Sequence, residues 1–228
     1  MEFTIEHRDG LASLVHLTMQ PDEPVLELTD ALAMASNVGE DTVIWLHGSN
    51  PERAEVMAAT GRTTNRTLLQ MRVPLPAAAP GIETSAFTSP DLDEFIAVNN
   101  RAFDWHPEQS GLTHEQVAND MAQDWYRDEG FRLHRVDGAL AGFCWTKIHP
   151  ATADDPPLGE IYTIAVDAPF QGRGLGKAMT LAGLDWLHNQ GLEVGMLYVE
   201  SDNEAAVATY ERIGFSVARE DTLWRPKQ

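Results

Sequence analysis

Apolar residues recur along this chain with two different periods, and the changes of period lay out its elements. From residue 89 onward Leu92, Phe95, Ile96 and Val98 fall at helical spacing and predict a helix running to about Ala102. A second, acidic helix is predicted over residues 113–125. Residues 131–136 and 142–148 then alternate with a period of two, and Asp137-Gly138 between them supplies the positive φ of a hairpin turn. Residues 158–166 read as a strand, and apolar positions 175, 178, 179, 182 and 186 predict a helix over 174–189. A short strand at 196–199 leads to Ser201-Asp-Asn-Glu204, a capping-box signal for a helix that Gly214 ends. This order of strands and helices predicts a mixed α/β sheet.

The first third of the chain repeats part of the last. Sliding the sequence by 153 residues lays 44–61 over 197–214 without a gap, so that Asn50 meets Asn203, Gly61 meets Gly214 and Leu28 falls on Leu181. Where the later copy reads Gln171-Gly-Arg-Gly-Leu-Gly-Lys177, the earlier one has Thr18-Met-Gln-Pro-Asp-Glu-Pro24, and Met57 stands in the place of Tyr210. The earlier copy is therefore expected to be chemically silent, and to lack the strands that would precede its missing loop. Three prolines and a glycine in residues 74–81 interrupt any regular element. The expected organisation is a degenerate half-domain over 1–75, a linker at 76–81 and a full domain over 82–228.

Composition narrows the class. At 228 residues, with 43% hydrophobic and 22% charged side chains, the chain is globular and large enough for a sizeable core. Its net charge of −19 is spread over both halves, which excludes the clustered Lys and Arg of a duplex-binding face. A single cysteine, Cys144, rules out an internal disulfide and fits a reducing compartment. No basic, apolar leader opens the chain and no run of 18 apolar residues interrupts it, so a cytoplasmic protein without nucleic-acid or membrane partners, and a monomer, is expected. The histidines show no zinc-ligand spacing, and no metal is expected. Cys144 reads as a small core residue and His149 as a surface residue beside a proline turn.

The chemistry concentrates around three alternate glycines, Gly172, Gly174 and Gly176, between a strand and a helix. Glycine lets backbone amides approach a ligand closely, and a helix N-terminus adds unpaired donors and the positive end of a dipole. A Walker A loop would need Gly at 171 and Ser or Thr at 178, where Gln171 and Ala178 stand; the dinucleotide spacing is absent too.

The stretch Val166-Asp-Ala-Pro-Phe-Gln-Gly-Arg-Gly-Leu-Gly-Lys177, followed by Asn203, Ala206, Tyr210, Gly214 and Phe215 at their spacing, resembles the GCN5-related N-acetyltransferase (GNAT) family. The resemblance implies the GNAT fold, a mixed and mostly antiparallel sheet flanked by helices, preceded here by a degenerate half-GNAT domain. It implies acetyl-CoA as cosubstrate, with the amides of Gln171, Gly172, Arg173, Gly174, Leu175, Gly176 and Lys177 on the pyrophosphate. Ile164, Ala165 and Val166 would run beside the pantetheine arm, and Asn203, Glu204, Ala205, Ala206, Val207 and Ala208 would complete the cofactor site. An amine attacking a thioester must lose a proton and the departing thiolate must gain one. Glu160, expected on one strand face with Tyr162, Ile164 and Val166, is the candidate base acting through water. Tyr210, two helical turns after Asn203, is the candidate acid.

Residues 98–109, 142–150, 158–162 and 197–203 resemble the second domain of the mycothiol synthase family, whose acceptor is the cysteinyl amine of cysteinyl-glucosaminyl-inositol. Carried over, Glu108, Lys147, Glu160 and Tyr198 fall on acceptor-binding positions. Carboxylates and an ammonium suit a ligand with many hydroxyls. The family has two full acetyltransferase domains where this chain has one and a remnant, and Trp105 and Phe170 are bulkier than the residues expected there. The alternatives are a GNAT enzyme for another primary amine, a protein N-terminus or an amino sugar, and a non-catalytic acetyl-CoA sensor.

Overall fold

The computed structural model describes residues 2–6, 13–19, 23–36, 38, 41–104 and 111–227, with Ser36 and Asn65 described by their backbone alone. By internal contacts the chain divides into two compact units that are not contiguous in sequence. One takes residues 1–71, 198–207 and 217–228, the other 72–197 and 208–216.

The first unit opens with an antiparallel pair, β1 (Glu2–Glu6) and β2 (Leu14–Thr18). Helix α1 (Val25–Ser36) carries the chain to β3 (Val43–His47), parallel to β2, and α2 (Pro51–Ala59) leads into β4 (Arg62–Pro74). Two strands therefore stand before α1, where the sequence was expected to lack them. They are five residues each, too short for a convincing alternation, and their identity comes from burying Leu14, Val15 and Leu17. The C-terminal strand β10 (Ser216–Pro226) inserts antiparallel to β3, giving the order β1-β2-β3-β10-β4. A core of Val15, Leu17, Leu28, Ile44, Leu46 and Met57 fills the space between this sheet and its helices.

In the second unit, β5 (Ser85–Ala86), α3 (Leu92–Ala102) and α4 (His114–Met121) precede the hairpin of β6 (Phe131–Val136) and β7 (Ala139–His149). Asp137 and Gly138 both take positive φ at its turn, as the Asp-Gly pair predicts. Helix α4 stops at Met121, short of the expected 125, and Trp125 beyond it packs 5.0 Å from the Tyr162 ring and 5.8 Å from the Trp145 ring. Next come β8 (Leu158–Val166), α5 (Leu175–Asn189), β9 (Val194–Glu200) and α6 (Glu204–Ile213), with the strand order β9-β8-β7-β6-β5. All neighbours in this set are antiparallel except β8 and β9.

Each face of this sheet is sealed differently. On one, Phe95 of α3 meets Phe131 and Phe143 edge-on at 4.8 Å, and Trp145 stacks on Phe131 at 4.6 Å. On the other, α5 lies so close that a Cβ on Gly183 would come within 2.5 Å of Cys144 Sγ and 2.7 Å of Ile161 Cδ1. Cys144 is fully buried here, and burial pushes its thiol up to about 12. It is a packing residue held in the protonated form, not a thiolate.

Candidate active site

Strand β8 pairs in parallel with the start of β9. The ladder with β9 joins Gly159 to Gly195, Glu160 to Met196 and Ile161 to Leu197, and β8 runs on through Val166. Its other edge stays paired with β7, but with one irregularity: Thr146 faces Ile161 and Trp145 faces Thr163, so Tyr162 is an extra residue. The bulge reverses the alternation beyond it. Glu160 consequently shares a face with Lys147, its cross-strand partner, while Ile164 and Val166, paired with Cys144 and Gly142, point to the opposite face. The expectation that Glu160, Ile164 and Val166 line one face is thereby corrected. A bulge is set by cross-strand registration, which period-two counting along one strand does not contain.

Glu160 is 7% exposed and its Oε2 lies 2.6 Å from Nε2 of His149, the diagonal neighbour on β7. His149 is thus a site residue that sequence reasoning took for an ordinary surface histidine. The Lys147 ammonium sits 5.0 Å from the Trp125 ring centroid and 5.5 Å from that of Tyr162. Burial pushes the Tyr162 phenol up to about 12, with the charges of Asp120 and Glu160 adding to it. Burial likewise raises Asp120, which the Lys147 charge counteracts. Nothing in the sequence marked Asp120 or Trp125. Glu108 and Trp105 lie outside the described residues.

The loop after β8 is held from both ends. Asp167 accepts two hydrogen bonds from the Arg101 guanidinium, at 3.1 and 2.8 Å, and one from the Ala168 amide. Gln171 Nε2 donates to the Val166 carbonyl, and Arg173 donates to the Pro169 carbonyl while lying over the Phe170 ring. Gly172 and Gly174 take φ of 75° and 77°, and Gly174 caps α5 without a side-chain hydrogen bond. A Cβ on Gly172, Gly174 or Gly176 would meet nothing within 4 Å. The protein therefore leaves open space in front of the first-turn amides of α5, next to Leu175 and Lys177. Such a cradle fits a diphosphate.

Asn203 caps α6, its side-chain oxygen accepting from the Ala206 amide at 3.2 Å. Glu204 and Ala205 are exposed in the first turn, and Ala206, Val207 and Ala208 are half-buried. Two turns on, the Tyr210 ring meets Phe215 edge-on, and burial pushes its phenol up to about 12. Tyr198 belongs to the first unit, where its hydroxyl accepts from Gln70 Nε2 at 2.8 Å and Arg219 Nη2 at 3.1 Å. Among the described residues no group of three or more His, Cys, Asp or Glu side chains could hold a metal ion, and no helix is long and apolar enough to cross a membrane.

A strand paired antiparallel on one edge and parallel on the other, a glycine loop opening the next helix and a nearly buried carboxylate on that strand are features of an acetyltransferase of the GNAT class. Residues 99–215 match the acetyltransferase (GNAT) family. A GCN5-related N-acetyltransferase from Sphaerobacter thermophilus has the same fold, with a TM-score of 0.70 at 19% identity over 98% of this chain and 75% of that one. A mycothiol acetyltransferase of Mycobacteroides abscessus is 44% identical over 250 residues, covering 96% of this chain and 82% of its own length. That of Mycolicibacterium vanbaalenii is 41% identical over 231 residues, covering 95% and 75%. The chain belongs to the GNAT family and, within it, to the mycothiol acetyltransferases, and it is an N-acetyltransferase.

Proposed function

We propose that this enzyme transfers the acetyl group of acetyl-CoA to the cysteinyl amine of cysteinyl-glucosaminyl-inositol, giving mycothiol. The observation that carries the reading is the pairing, on one strand and its outgoing loop, of a nearly buried carboxylate with a cradle of glycines facing open space. On this reading the amides of residues 171–177 hold the pyrophosphate and Ile164, Ala165 and Val166 flank the pantetheine arm; the family resemblance adds Asn203 to Ala208, at the start of α6, as cofactor-binding positions. The cosubstrate supplies an acetyl group activated as a thioester.

The chain's own groups manage protons. Glu160, screened from solvent, takes a proton from the amine through a water molecule. An α-amine has an ordinary pKa near 8, so modest assistance suffices. Tyr210 gives its proton to the departing sulfur; a phenol raised to about 12 is fully protonated at neutral pH and available as a donor. Lys147, braced on Trp125 and Tyr162, is a donor for the hydroxyls of the acceptor, and the family resemblance adds Tyr198 and Glu108 as acceptor-binding positions. The partners are two small molecules, with no nucleic acid or membrane.

Residues 1–75 are, on the same reading, a degenerate half-GNAT domain and the chain has one catalytic site. The support is the match of β3, α2 and β4 to β9, α6 and β10 at a constant offset of 153, with a buried Met57 at the place of Tyr210. The test is acetyl-CoA turnover, followed by thiol release and mass spectrometry, against a panel of amines. Acetylation of cysteinyl-glucosaminyl-inositol well above unrelated peptides and amino sugars supports the assignment. Equal turnover of all of them, or none with this acceptor, overturns it.

A further inference from the structure

Acetylation of an amine that arrives as an ammonium removes two protons from nitrogen and returns one to sulfur, so each turnover leaves one proton to be discharged. A base that is 7% exposed cannot hand that proton directly to bulk water at ease. The contact between Glu160 and His149 offers a way out. The two side chains lie 2.6 Å apart, Oε2 to Nε2, and the imidazole is 32% exposed where the carboxylate is 9%. They come from adjacent antiparallel strands, with Lys147 opposite Glu160 and His149 one pair further along the same face. Lys147 lies opposite Glu160, and the charges of Glu160 and Asp120 both act on the neighbouring Tyr162 phenol. The Lys147 ammonium is directed onto aromatic rings and Asp120 interacts with Lys147 and Tyr162.

We propose that His149 acts through Glu160 as a positioning residue and proton exit: it orients the carboxylate and carries each abstracted proton outward. This rests on the reading of Glu160 as base. In the accepting state the ring bears its hydrogen on Nδ1 and presents the Nε2 lone pair. The proton taken from nitrogen reaches the carboxyl group, the Oε2–H bond breaks as Nε2–H forms, and the imidazolium releases its Nδ1 proton to water. One proton leaves the amine and one enters solvent; with Glu160 again a carboxylate, proton exchange between the half-exposed ring and water moves its hydrogen from Nε2 back to Nδ1 and restores the accepting state.

The experiment compares the full-length parent with His149→Ala, His149→Gln and Glu160→Gln, using acetyl-CoA and cysteinyl-glucosaminyl-inositol. His149→Ala is expected to lower kcat roughly tenfold to a hundredfold with the KM for acetyl-CoA unchanged, and added imidazole to restore a large part of it. His149→Gln, which offers an N–H to Glu160 but accepts no proton, is expected to stay slow. Parental activity in either His149 variant, or a folded His149→Ala indifferent to imidazole, overturns the relay. Should His149→Ala fail to fold, His149→Gln decides: slow turnover with intact CoA binding supports the relay, parental turnover ends it. Glu160→Gln separates the two levels. If it turns over like the parent, base and relay fall together; if it is inactive while the His149 variants are parental, only the relay falls.

Discussion

Asn50 and Asn203 stand 153 residues apart and do the same thing. Each is the N-cap of a helix, and each side-chain oxygen accepts the amide hydrogen three residues on, from Arg53 at 2.9 Å and from Ala206 at 3.2 Å. The helices they start end at glycines with positive φ, Gly61 at 77° and Gly214 at 112°. The same local physics is written twice, once with Tyr210 two turns in and once with a buried methionine. Asn50→Ala and Asn203→Ala should therefore each cost about 1 kcal/mol, a fall of roughly 2–4 °C in Tm. Only Asn203→Ala should raise the KM for acetyl-CoA. An equal rise for Asn50→Ala would mean that the first copy is not silent.

The three glycines of the loop separate strain from ligand contact. Gly174 has φ of 77°, so Gly174→Ala should destabilise the fold by about 1–2 kcal/mol even though its new methyl has room. Gly176 lies inside α5 with neither a positive φ nor a neighbour within 4 Å. Gly176→Ala should leave the fold as stable or up to about 1 kcal/mol more stable, since alanine suits a helix better. Its affinity for CoA, read by calorimetry, should nonetheless drop at least several-fold because the methyl occupies the cradle. Unchanged affinity would place the diphosphate elsewhere.

Tyr210→Phe removes one oxygen and keeps the ring against Phe215. The expected result is a fall in kcat of about a hundredfold or more with little change in the KM for acetyl-CoA, the mark of a group needed only as bonds change. Burial raises the phenol to about 12, so it stays protonated as pH rises and loses its proton only near that value. The parental kcat should accordingly show no alkaline decline from this group below about pH 10. A decline near pH 8 that disappears in Tyr210→Phe would contradict the protonated phenol.

What could be read from the chain and what could not follows from the range of each interaction. The hairpin at Asp137-Gly138, the cap at Asn203 and the glycine loop depend on neighbours within a few positions, and the sequence displays them. The meeting of His149 with Glu160 depends on the β7–β8 register, and the reversal of faces at Tyr162 depends on a mismatch between two strands. Neither has a signature along one segment. The insertion of β10 between β3 and β4 is topological, and period-two patterning says only that a strand exists, not whom it joins. The recurrence of the last third in the first was visible, but the β1–β2 pair ahead of it rests on two five-residue segments whose pattern is too brief to stand alone.

Asp221 organises a hydrogen-bond network in the first unit. It is 1% exposed on β10, accepts from His47 Nδ1 at 2.9 Å and from the Gly48 amide at 3.1 Å, and receives two hydrogen bonds from Arg219, which in turn holds the Tyr198 hydroxyl. Burial alone would push this carboxyl upward; the His47 hydrogen bond and the Arg219 charge outweigh it and hold it below the usual carboxylate range. A carboxyl depressed in the folded state binds fewer protons there than in the unfolded chain, so its stabilisation is complete above about pH 4 and is lost as pH falls through the depressed value. Asp221→Asn should thus destabilise the protein by about 2–3 kcal/mol at pH 7, because it leaves a buried network without its anion. The gap between parent and variant should narrow on acidification below about pH 4. Urea melts at pH 7 and pH 3.5 check this, and a gap that widened in acid would show that the charge on Asp221 opposes the fold.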